Sequence, residues 1–107
     1  MSEETEMIAL GGNIELAGFR GLDRDTMVVV KKIVGNYGRK FSDRSENFEK
    51  LRVTRKPVHS TEKSEINEIK TMLVDGGKQF HAEENERNLF VGLDSAMKSL
   101  MNQTDNE

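Results

Sequence analysis

Apolar positions recur along this chain at two different periods, and the changes of period outline its elements. Around Ile14 and Leu16, in IALGGNIELAGF, apolar and polar residues alternate, which predicts a first strand with glycines at its margins. GLDRDT then supplies turn chemistry, and Asp23 or Asp25 can cap a helix because their carboxylates accept from first-turn amides. From Val29 the step changes: Val29, Val30, Ile33, Val34, Tyr37 and Phe41 follow at three- and four-residue spacing, the stripe of an amphipathic helix. After the turn-rich SDRSEN, the run FEKLRVTRKPV sets Leu51 and Val53 against Arg52 and Thr54, as a half-buried strand does. Pro57 has no amide donor and is expected to end that strand or lie on an edge. HSTEKSE reads as a polar connection. INEIKTMLVDGGKQFHAE reads as two strands joined at Asp75-Gly76-Gly77, because glycine permits the positive φ of a tight hairpin turn. Leu89, Leu93, Ala96, Met97 and Leu100 form the stripe of a last helix. The order is βαβββα. It predicts an α+β fold with a four-stranded sheet and both helices packed on one face, since each helix has a single apolar stripe to bury.

GNYG, Gly35 to Gly38, admits three readings. The apolar phase is unbroken on both sides of it, which favours a helix interior at a cost of roughly 1 kcal/mol per glycine relative to Ala. A GxxG loop of the KH type, which clamps RNA backbone, would break the phase. A helix ending at Gly38 with a glycine cap is the third reading.

Length and composition limit what such a chain can do. With 107 residues it suits one domain, expected over residues 8–103, with frayed polar tails at 1–7 and 104–107. There is no cysteine, so disulfides, thiolate nucleophiles and thiolate metal sites are excluded. The acidic start MSEETEM does not read as a signal peptide and no apolar run has membrane-spanning length, so a cytoplasmic location is expected. His59 and His81 are the only imidazoles, no metal-ligand spacing of the HExxH kind occurs, and no phosphate-binding glycine loop is present. Glu83, Glu84 and Glu86 are read as charges stabilising the start of the last helix. These observations predict a protein that is not an enzyme and takes no cofactor, metal or small-molecule substrate.

Charge distribution is more informative than the net value of −3. From Lys31 to Lys63 there are ten Lys and Arg against four acids, whereas the remainder has six against fifteen. Such a split gives a basic face able to meet phosphates within an acidic chain. Lys32, Asn36, Arg39 and Lys40 fall on the polar side of the first helix, and Arg52 and Lys56 share a parity on the second strand with Arg55 between them. Cations on rigid elements position a phosphate backbone without reading sequence. Tyr37 and Phe80, the candidates for base stacking, fall on core positions, which favours folded RNA recognised by shape and charge.

The segment DGGKQFHAEENERNLFVGLDSAMKSLMNQ resembles the ribosome-associated inhibitor and hibernation-promoting factor family, with its glycine hairpin, HAxAE-like strand and following helix. Phe90, Leu93, Asp94, Leu100 and Gln103 fill the places of its Y/F-x-x-I/L-D pattern and L-x-x-Q end, and the likeness extends over about residues 8–103. The resemblance implies a βαβββα fold similar to double-stranded-RNA-binding domains and binding to small-subunit rRNA at the decoding channel while translation is idle. It would place rRNA contacts at Lys31, Lys32, Arg39 and Lys40, to which the last segment adds Arg87 and Lys98. Two alternatives remain: a KH-like RNA-binding protein using Lys31, Lys32, Gly35, Asn36, Gly38, Arg39 and Lys40, and a protein-interaction module whose acidic ends meet a basic partner.

Overall fold

The computed structural model describes residues 7–59 and 65–105. The expectations for the chain ends 1–6 and 106–107 and for the connection 60–64 fall outside these residues. The fold is α+β, with elements β1 (Met7–Gly11), β2 (Ile14–Ala17), α1 (Arg24–Arg44), β3 (Phe48–His59), β4 (Glu65–Asp75), β5 (Lys78–Glu86) and α2 (Leu89–Asp105). Met7 therefore opens a strand, and Thr104 is still helical.

The sheet has five strands in the order β1-β2-β3-β4-β5, not the four expected. The extra strand comes from IALGGNIELA, which folds as an antiparallel hairpin with Ile8 opposite Leu16. Gly11, Gly12 and Asn13 all have positive φ (90°, 60° and 67°), so the glycines make a turn between two short strands where the sequence reading had put them at the margins of one. α1 then carries the chain over to β3, which lies parallel to β2 with Ile14 beside Leu51 and Leu16 beside Val53. β3, β4 and β5 continue antiparallel, the last turn formed by Gly76 and Gly77 as predicted. Pro57 lies within β3, opposite Asn67. Pairing with β2 has stopped at Thr54, so β3 has an open side there and the missing amide donor disrupts no second ladder.

One core holds the two layers together. Leu16, Leu51, Val53, Ile69 and Leu73 from the sheet meet Val30, Val34 and Phe41 of α1 and Leu93, Ala96, Met97 and Leu100 of α2, with Phe19 from the connection before α1. α1 runs unbroken through GNYG, which settles that segment as helix interior. Its stripe is rotated slightly from the expected one: Val29 is exposed, and Gly38 is buried against Ile14 and Leu51. Asp23 occupies the N-cap position of α1 without a side-chain capping bond. At α2 the cap is Asn88, whose Oδ1 accepts from the Val91 amide at 3.1 Å. Glu83, Glu84 and Glu86 belong to β5 and not to that helix start, because β5 pairs with β4 as far as Glu86 opposite Asn67.

Candidate nucleic-acid interface

Positive charge in this fold is concentrated on α1. The helix carries six Lys and Arg and two acids, whereas the five strands together carry six Lys and Arg and eight acids. Lys31, Lys32, Asn36, Arg39 and Lys40 are all exposed. Lys32, Asn36 and Arg39 stand four and three residues apart, so they follow one line along the helix for about 10 Å, with Lys31 and Lys40 to either side.

Of the remaining expected contacts, Lys98 lies beside it at the α1–α2 seam, and Arg52, Arg55, Lys56 and Arg87 do not join it. Arg52 and Lys56 share a parity, but it is that of the sheet face turned away from the buried Leu51 and Val53, hence away from the helices. There the cations are matched across strands. Arg52 Nε donates to Glu15 Oε1 at 3.2 Å, with Lys50 Nζ 3.9 Å from the same carboxylate; Lys56 stands opposite Glu68, and Lys70 opposite Glu83. Cross-strand pairing of opposite charges leaves this face close to neutral row by row.

Arg55 takes the opposite parity and points inward. Its Nε donates to Asn67 Oδ1 at 2.9 Å and its Nη1 to the Gly18 carbonyl at 3.1 Å. Burial lowers its pKa from the ordinary arginine value, opposed by the charge of Glu65. Asn67, 8% exposed, in turn donates to the carbonyls of Glu86 and Arg87 at 3.2 and 2.9 Å. Arg55 and Arg87 both line an open groove of about 350 Å³ beside Leu22, Thr26 and Phe90, next to the starts of the two helices. His81 lies exposed on β5, its Nε2 3.3 Å from Gln79 Oε1.

Where α1 meets α2 there is a polar cluster that sequence reasoning missed. Tyr37, assigned to the core by its phase, is half-buried, and its hydroxyl donates to Asp94 Oδ1 at 2.7 Å. Lys98 Nζ lies 3.1 Å from Asp94 Oδ2, one helical turn on. Lys40 Nζ stands over the Tyr37 ring, 5.2 Å from its centroid. Burial, then the bond to Asp94 and its negative charge, push the Tyr37 hydroxyl up to about 12. The same hydrogen bond, more than the charges of Lys98 and Lys40, holds the Asp94 carboxyl below its ordinary value against a smaller opposing effect of burial. A half-buried tyrosine hydroxyl needs a partner, and that need was the available signal.

No family model matches this sequence, and no curated protein matches it significantly. Among the described residues no group of three or more His, Asp or Glu is placed to hold a metal ion, and no helix is long and apolar enough to cross a membrane.

Proposed function

We propose that this chain is a non-enzymatic ribosome-associated factor that binds small-subunit rRNA through the solvent face of α1 and modulates or inhibits translation. The observation that carries the reading is the row of Lys32, Asn36 and Arg39, flanked by Lys31 and Lys40, on the element that holds the fold's excess of positive charge. A rigid line of cations fits a phosphate backbone of fixed geometry. The large aromatics favour paired or folded RNA over a stacked single strand: Phe19 and Phe41 are buried, Phe48, Phe80 and Phe90 pack against the core, and the hydroxyl of Tyr37 is engaged by Asp94. The KH-like alternative needs a loop at GNYG, and helix runs through it.

Co-sedimentation with isolated small subunits across a salt series tests the proposal. Binding should weaken as salt rises, and Lys32→Gln and Arg39→Gln should each reduce the log-log slope by roughly 0.7 to 0.9. Arg52→Gln and Lys56→Gln, in the charge-paired sheet face, should leave the slope unchanged. Salt-independent binding, or equal effects from the two sets, would reject α1 as the contact surface, and absence of binding at low salt would favour the protein-interaction reading.

A further inference from the structure

We propose that Asp94 and Tyr37 are positioning residues that present Lys40 and Lys98 as a two-ammonium clamp for an RNA phosphate lying across the α1–α2 seam; this rests on the RNA reading above. The arrangement is specific. One carboxylate takes the Tyr37 hydroxyl on Oδ1 and the Lys98 ammonium on Oδ2, and the Tyr37 ring carries Lys40 on its face. Asp94 thus connects one cation from each helix. Lys40 and Lys98 are both exposed, so their remaining N–H donors face solvent. A free lysine loses rotamer freedom when it grips a phosphate, and one already held against a ring or a carboxylate loses less. Lys98 keeps 68% of its side chain exposed in this pair, and an exposed pair is weak enough for the ammonium to share itself with an incoming phosphate.

The clamp makes a prediction whose sign opposes simple electrostatics. Asp94 is an anion on a phosphate-binding face, so if it only repels RNA, Asp94→Asn should tighten binding. If it positions Lys98, Asp94→Asn should weaken binding to isolated small subunits on the order of two- to fivefold, the scale of an exposed ion pair. Tyr37→Phe, which removes the hydroxyl bond and keeps a ring under Lys40, should weaken binding less. Lys40→Gln and Lys98→Gln should each lower the salt slope by roughly 0.7 to 0.9. In a Lys98→Gln background the Asp94→Asn effect should shrink, because the two residues act as a unit. Melting curves recorded on every variant, with binding measured well below each transition, separate positioning from loss of fold. Tighter binding by Asp94→Asn, or full slope retained by Lys98→Gln, overturns the clamp; if Lys32→Gln and Arg39→Gln still reduce the slope, the RNA reading survives without it. A native chain that does not bind small subunits overturns both.

Discussion

Gly35 and Gly38 are three residues apart in the same helix, yet their surroundings give them opposite meanings. A Cβ on Gly38 would collide with Cδ1 of Ile14, whereas one on Gly35 would meet nothing within 4 Å. Gly38 is thus the point where β2 approaches α1, and Gly35 is conformational freedom without a packing role. Gly35→Ala should raise stability by about 0.5 to 1 kcal/mol, through lower unfolded-state entropy and better helix propensity. Gly38→Ala should gain less than Gly35→Ala, since Cδ1 of Ile14, the end of a half-buried side chain, has to swing out of its packed contact to admit the methyl. Urea denaturation of the two variants checks their order, and a loss of stability in Gly35→Ala would contradict the open space beside it. The sequence showed that these glycines interrupt no periodicity; it could not show which one touches a strand more than twenty positions earlier.

At the scale of elements, the Tyr37–Asp94 bond joins the two helices and should register in acid. Asp94 has a folded pKa below its unfolded value, so its contribution is complete above the unfolded value of about 3.9 and is lost as pH falls towards the folded one. Tyr37 is shifted the other way: its contribution is complete below the unfolded value of about 10 and fades as pH rises to about 12. The gap in melting temperature between the native chain and Tyr37→Phe should therefore be widest between these limits and should narrow on acidification below about pH 4. A gap that stays constant into acid would show that the hydroxyl contributes without the carboxylate's charge. The free edge of β5 is also managed by a helix: the Gln103 side chain donates to the His81 carbonyl. One ladder acceptor is thereby withheld from an added strand.

For the molecule as a whole, the Arg55–Asn67 network ties together parts that are far apart in sequence. Arg55 on β3 holds the Gly18 carbonyl before α1, and Asn67 on β4 holds the carbonyls of Glu86 and Arg87 before α2. Asn67→Ala would leave Arg55 Nε and both carbonyls without this partner, and should lower stability by about 1 to 3 kcal/mol. Small-subunit binding measured below the transition should be unaffected, because the residue lies under the surface and not on it. The same architecture divides the basic residues that the sequence had grouped. Arg52 and Lys56 share a surface with Glu15, Glu68 and Glu83, while Lys32, Asn36 and Arg39 share one with few acids.

The sequence by itself determined the kind and order of nearly every element, because burial of one face imprints a period of about two on strands and 3.6 on helices. It also located the β4–β5 turn, through the left-handed backbone that only glycine adopts freely. The division of IALGGNIELA into two strands was less legible, since segments that short scarcely complete one alternation. Only the tertiary structure decided which charges meet. Whether Lys56 faces a carboxylate depends on the β3–β4 register, and the partners that the inward-facing Arg55 meets, Asn67 and the Gly18 carbonyl, depend on how β4 and the connection after β2 pack beside β3. The association of Tyr37 with Asp94 depends on the docking of two helices whose partners lie 57 residues apart. Local periodicity records that a residue is buried, and carries no record of what it is buried against.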